Sequence, residues 1–154
     1  MNRWHRLMIA LYRIAPRSLS KWVVFWLKPK YVIAVVALVA DDAGRLLVLR
    51  HTYGKPYFWR FPGGIKERGE HPFATAEREL REEANVAVKA TRVISVIETV
   101  STFDIVVYCE IVNEQPFHPN AEVEEKMWIH PQNPEVALPP DQQEIMILLK
   151  EMPN

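Results

Sequence analysis

Between Glu70 and Ala84 the apolar residues Phe73, Ala76, Leu80 and Ala84 recur at intervals of three and four, the spacing of one buried helical stripe. The segments on either side are β-branched and apolar: "YVIAVVALVA" and "RLLVLRH" precede it, "TRVISVIETV" and "FDIVVYCEIV" follow. A single amphipathic helix inserted among strands must bury its stripe on a sheet. That constraint predicts an α/β sandwich of mixed β-sheet with flanking helices, the second helix being "DQQEIMILLKEM", capped by Asp141.

Punctuation between these runs sets the expected order. "DDAG" is a turn signal, so the first two strands read as a hairpin buried on both faces. "TYGKPYFWRFPGG" reads as a loop with a short strand at 57–61 and a tight Pro-Gly-Gly turn. Asn85 ends the helix, because asparagine tolerates the left-handed conformation common just past a helix end. "NEQPFHPNAEVEE" is a polar loop, "KMWIH" a short strand and "HPQNPEVALPP" a linker within the domain.

At 154 residues the chain suits one domain with a real core, and its 49% hydrophobic and 25% charged residues are those of an ordinary soluble globular protein. A single cysteine, Cys109, excludes an internal disulfide and a Cys-rich zinc motif, and fits a reducing cytoplasm; its apolar setting points to packing. His51, His71, His118 and His130 show no paired spacing such as H-E-x-x-H, so zinc is not expected.

The net charge of zero conceals an asymmetry. Arg3, Arg6, Arg13, Arg17, Lys21, Lys28 and Lys30 fall in the first thirty residues, which hold no acid. Residues 1–28 read as a basic, amphipathic helical extension split near Pro16, and 29–154 as the main domain. No apolar run there reaches the roughly 20 residues of a membrane span. The extension is expected to pack on the domain or complete a homodimer; contact with an anionic membrane surface, giving a cytoplasmic protein peripheral at the membrane, is the less favoured alternative.

The polar side of the central helix carries the chemistry. Glu79, Glu82 and Glu83 stand at i, i+3 and i+4, within one arc beside the buried stripe, where like-charge repulsion is poorly screened. Two readings stay open on the helix alone. Arg78 can pair with Glu82, and Arg81 with Glu77, as on any solvated helix, with Glu77 merely solvated. Alternatively the carboxylates hold a hard divalent cation, which prefers oxygen ligands. Upstream, Gly63 and Gly64 let bare backbone carbonyl approach the helix. Glu70, near the helix start, complements the macrodipole and can anchor the loop.

Taken together, "GGIKERGEHPFATAERELREEANV" resembles the signature of the Nudix hydrolases, G-x5-E-x7-R-E-U-x-E-E-x-G-U with U aliphatic. Gly64, Glu70, Arg78, Glu79, Leu80, Glu82, Glu83 and Val86 match at the required spacing; Asn85 stands where the family has glycine. At background usage such a match arises with odds of roughly one in a million or lower per start position.

The resemblance implies the Nudix-type sandwich and hydrolysis of a nucleoside diphosphate linked to another moiety, by water attack at phosphorus with Mg²⁺ or Mn²⁺. It implies Glu82 and Glu83 as principal metal ligands, Glu79 as a further ligand or water-orienting base, and the Gly63 carbonyl completing the sphere. Arg78 and Glu70 would position the glutamates. A further carboxylate is expected in "NAEVEEKMW", with Glu122 preferred over Glu124 and Glu125. Arg50, Arg60 and Lys66 are candidates for phosphates, and Tyr53, Tyr57, Phe58, Trp59 and Phe103 for stacking on a base, though aromatics in short strands are more often core. The alternative to an enzyme is a Nudix-like nucleotide-binding or regulatory module without turnover, which usually lacks some of the box glutamates; here all are present.

Overall fold

The computed structural model describes Trp4, Trp26, residues 30–56 and residues 58–151. The expectations for the basic extension, its helices, dimer contact and membrane contact, fall outside the described residues apart from Trp4 and Trp26, as does Tyr57. Val32 begins the compact unit that carries every strand and helix named below. No helix of the described residues is long and apolar enough to cross a membrane.

Seven strands and two helices follow one another as β1 (Val32–Val39), β2 (Leu46–His51), β3 (Trp59–Arg60), β4 (Gly63–Ile65), α1 (Pro72–Ala84), β5 (Val86–Glu98), β6 (Thr102–Glu114), β7 (Val123–Ile129) and α2 (Pro140–Glu151). They build a four-stranded mixed sheet in the order β4-β1-β6-β5 and a three-stranded antiparallel sheet in the order β3-β2-β7. Strand alternation sorts the core into two sides. Val35, Ala37, Val39, Leu47 and Leu49 pack with Ala76, Leu80 and Ala84 of α1. Val36, Leu38 and Val48 pack with Val106, Ile145 and Met146 on the side of α2. Both β1 and β2 are therefore buried on both faces, as their unbroken apolar runs predict.

The expected hairpin of β1 and β2 is not formed. β1 already has β4 and parallel β6 as neighbours, so β2 joins the other sheet, and the backbone pairing between the two segments is an isolated bridge of Ala40, just past β1, with Leu46. The link is a corner held by Asp41, whose Oδ1 accepts from the backbone N–H of Ala43 (3.0 Å) and Arg45 (2.8 Å) while Oδ2 accepts from Arg45 Nε (2.7 Å). Asp side chains that bond the backbone a few residues on favour such turns.

Five local assignments also differ. Pro-Gly-Gly is not only a turn: Gly63–Ile65 pairs with β1 as an edge strand. The central helix starts at Pro72 rather than Glu70, with His71 as N-cap, its Nδ1 accepting from the Phe73 N–H at 3.3 Å; proline suits the first helical position, where no N–H partner is needed. β5 begins directly after the helix at Val86, and β7 already at Val123. α2 begins at Pro140, which places Asp141 in its first turn instead of at the cap. Cys109 is fully buried, and burial with nearby Glu77 pushes its thiol up to about 12, which leaves packing as its role.

Candidate metal and diphosphate site

The left-handed turn after α1 sets the register of everything around it. Asn85 adopts φ 54°, ψ 39°, its N–H closes on the Leu80 carbonyl, and its Nδ2 donates to the Pro116 carbonyl at 3.0 Å. The family glycine is thus replaced by the residue that tolerates this conformation best among those with a Cβ. The helix then places Leu80, Glu83 and Ala84 on the buried side, with Glu79 half-buried and Glu82 exposed.

Arg78 organises the carboxylates. Its Nε donates to Glu70 Oε1 at 3.1 Å, and its Nη1 donates to Glu79 Oε1 at 2.8 Å and Glu82 Oε2 at 3.3 Å. Glu70 in turn accepts from Thr75 Oγ1 at 2.8 Å and from the Glu67 N–H at 3.1 Å, tying the loop to the helix start. Bonded to Arg78 first of all, Glu70 is held down at about 2. Glu77, expected to be solvated, instead accepts from the Ala90 N–H at 3.0 Å and anchors β5 to the helix.

β4 brings the glycines against this helix. Gly63 donates its N–H to Glu83 Oε2 at 3.0 Å and holds φ at 153°, where an added Cβ would run into the Val35 carbonyl. A Cβ on Gly64 would overlap the Glu79 carboxylate. At Gly63, where the obstacle is backbone, only glycine lets this strand lie so close.

Glu79, Glu82, Glu83, Asn120, Ala121 and Glu122 line a cleft of about 270 Å³. Glu83 is only 5% exposed, and burial, with the charges of Glu79, Glu122 and Glu82 added, pushes its carboxyl up to about 8 against the opposing Gly63 N–H. Burial raises Glu79 as well, although Arg78 pulls the other way. Four carboxylates around one cleft, one of them raised by burial first and by its neighbours' charges second, make an oxygen-only donor set suited to a hard divalent cation. Among the described residues no three His, Cys, Asp or Glu side chains converge as a ready ligand group, and Glu79 and Glu82 are both bonded to Arg78.

Comparison with known proteins decides the family. A family model described as NUDIX domain matches residues 30–149. The chain belongs to the Nudix family. An ADP-ribose pyrophosphatase of Mycobacterium tuberculosis is 37% identical over 75 residues, 46% of this chain and 35% of that protein. A Xenopus laevis protein named nucleoside diphosphate-linked moiety X motif 6 is 38% identical over 50 residues, 32% of this chain and 23% of its own length. The matches thus span about a third or less of these relatives. A crystal structure of an ADP-ribose pyrophosphatase from Streptococcus suis superposes with a TM-score of 0.64 at 18% identity, covering 80% of this chain and 93% of that one, and shows the shared fold. Nudix hydrolases generally use divalent metals.

In this Nudix domain the sequence-derived substrate candidates separate. Arg60 lines a second cavity, of about 380 Å³, with Tyr53, Gly63 and Gly64. Arg50 instead pairs across the sheet with Glu124 (3.1 Å) and Glu125 (3.4 Å), which removes all three from the acidic cleft and leaves Glu122 as the loop carboxylate beside it. Trp59 packs on the α2-side core, Phe58 supplies a carbonyl to the His51 N–H, Phe103 pairs with Ile33 in the sheet, and Lys66 Nζ donates to the Glu67 carbonyl at 3.0 Å. Two site residues escaped the sequence reading. His51 is buried with Nε2 3.9 Å from Glu83 Oε1, and burial, with Arg60 nearby, lowers its pKa. Asp104, buried in the second cavity, is an acid at an inward position of an apolar strand, a signal the alternation of "FDIVVY" contains.

Proposed function

We propose that the chain is a divalent-cation-dependent hydrolase of nucleoside diphosphates linked to a second moiety, with ADP-ribose the first substrate to test. The observation that carries this reading is Glu83: a buried carboxyl pushed up by burial and three neighbouring carboxylates, inside an intact set of Nudix-box glutamates and beside a cleft. Clusters of perturbed carboxylates mark sites of charge handling. The relatives named ADP-ribose pyrophosphatase support the substrate choice.

Glu82 and Glu83 would be the principal ligands for Mg²⁺ or Mn²⁺, joined by Glu79 and the Gly63 carbonyl, and a cation held there would supply neutralisation of the diphosphate charge and a lowered pKa for water. The protein's own groups do the rest. Arg78 holds Glu79 and Glu82 in orientation and is itself held by Glu70, and the Gly63 N–H fixes the Glu83 carboxylate. Glu122, at the cleft and outside the Arg78 network, accepts the proton from the attacking water as its oxygen bonds to phosphorus and the bridging P–O bond breaks. Arg60 meets a phosphate of the leaving portion.

The test is product release from ADP-ribose, other nucleotide sugars, dinucleotides and nucleoside triphosphates, with Mg²⁺ or Mn²⁺. Cleavage of at least one diphosphate into two monophosphate products is expected. Tight nucleotide binding without turnover of any of them would support the non-catalytic module instead.

A further inference from the structure

Five exposed aliphatic side chains stand at one end of the four-stranded sheet: Val32 and Ile33 open β1, Ile65 closes β4, Val96 lies near the end of β5, and Val100 sits in the turn to β6. Backbone pairing holds them together. The Val32 N–H donates to the Ser101 carbonyl at 3.0 Å, and the Lys66 N–H, next after Ile65, donates to the Ile33 carbonyl at 2.9 Å. Ile33 pairs with Phe103, and Val96 pairs with Ile105, two residues on from Phe103 and so on the same face. Thr99 and Thr102 close the turn through a 2.7 Å bond between their hydroxyls, while the Val100 side chain is fully exposed at the tip, a place where turns ordinarily carry polar residues or glycine. Exposed aliphatic clusters of this kind mark surfaces that something else covers.

The chain itself says what that is. Lys30 and Tyr31 lead directly into Val32, so residues 1–30, with their seven bases and no acid, are tethered at this end of the domain. Packing that segment's tryptophans within protein would bury them, yet Trp4 is 75% and Trp26 61% exposed, with Lys30 Nζ 4.9 Å from the Trp26 ring centroid. At the domain end itself, Glu98 is the acid on β5, and the loop after Ile65 sets Lys66 and Arg68 beside Glu67, so this end adds no negative excess to oppose the segment's charge.

Three occupants are conceivable, and one fits all the groups. Nucleic acid would pair with the bases and stack on tryptophan, but it offers nothing to aliphatic side chains. A second copy would bring another acid-free, seven-base segment to the same contact, and like charges oppose such an isologous pairing. A lipid–water interface accepts all three chemistries: tryptophan at the headgroups, Lys and Arg against anionic lipid, and aliphatic side chains at the acyl boundary. We propose that this end of the domain, with the basic segment tethered to it, docks on an anionic phospholipid surface. Among the described residues no helix is long and apolar enough to cross, so the contact is with the surface. It holds whatever diphosphate the site cleaves.

The experiment is sedimentation of the full chain with vesicles of phosphatidylcholine alone and of phosphatidylcholine with about 30% phosphatidylserine. Affinity is expected to be about 10-fold or more higher for the anionic vesicles and to fall by at least as much between about 0.1 and 0.5 M salt. Val100→Asp, at a fully exposed position, is expected to keep the parent's melting temperature and weaken binding by about 5-fold or more, and Val100→Trp to strengthen it by about 3-fold or more. Replacing Arg13, Arg17 and Lys21 together by glutamine is expected to weaken it by about 10-fold or more. The proposal is overturned if the parent binds neither vesicle or both equally, if affinity is indifferent to both Val100 substitutions, or if it survives loss of the three bases. It is equally overturned by retention on duplex RNA without vesicle binding, which assigns the bases to nucleic acid. A dimer, by light scattering, that Val100→Asp splits and that does not sediment with vesicles assigns the patch to a second copy and overturns it as well.

Discussion

Glu83 carries a linkage that stability measurements can read. Its carboxyl ionises near the ordinary 4.5 in the unfolded chain and near 8 in the folded one, so between those values the unfolded state releases a proton that the folded state keeps. Ionisation therefore favours unfolding, and stability conferred by the neutral form is lost as pH rises from about 5 to about 8, by a total on the order of a few kcal/mol. In chelator, denaturant midpoints are expected to fall over that window, Glu83→Gln to flatten the slope, and Mg²⁺ to restore midpoints at the alkaline end. An unchanged slope in Glu83→Gln would assign the effect to another group. The glutamates were legible at this scale because an i, i+3, i+4 pattern survives in a linear sequence. His51 was not, since a lone histidine at the end of an apolar strand has no spacing to announce that folding sets it 3.9 Å from Glu83.

At the scale of elements, the turn between α1 and β5 and the glycine strand β4 aim the site. Asn85→Ala puts an ordinary side chain at φ 54° and removes the bond to the Pro116 carbonyl, at a cost of about 1–2 kcal/mol in denaturation. Asn85→Gly relieves the backbone but loses the same bond, and its net effect is expected within about 1 kcal/mol. Gly64→Ala is of a different kind: its Cβ displaces the end of the flexible Glu79 side chain, so stability moves by less than about 1 kcal/mol while kcat falls by about 10-fold or more. A large loss of stability with kcat preserved would show that Glu79 does not need its present place. The elements themselves were largely readable from β-branched runs, the helical stripe and Pro-rich breaks. The hairpin of β1 with β2 does not form, because a turn signal says that the chain reverses without saying in which sheet the next strand lies. The two-residue β3 and the three-residue β4 are too short for any periodicity, and β4 exists because β1 offers it an edge.

For the whole molecule, the two sides of the core divide the labour. The α1 side presents the glutamates, β4 carries the glycines between, and the cavity beyond draws on both sheets and the start of α2, where Gln142 Oε1 accepts from the Phe61 N–H at 2.7 Å. No single stretch of sequence contains that cavity, which is why its lining was not legible while the Nudix box was. The division predicts that changes at the box glutamates act on turnover and cation affinity. The most direct measurement is the rate of ADP-ribose cleavage as Mg²⁺ is titrated from chelator to saturation, for the parent and for Glu83→Gln. A cation held by the box glutamates predicts no turnover in chelator, saturable activation by Mg²⁺, and a fall of about 100- to 1,000-fold in kcat on losing the Glu83 charge; turnover indifferent to chelator, or a Glu83→Gln rate equal to the parent's, would contradict it.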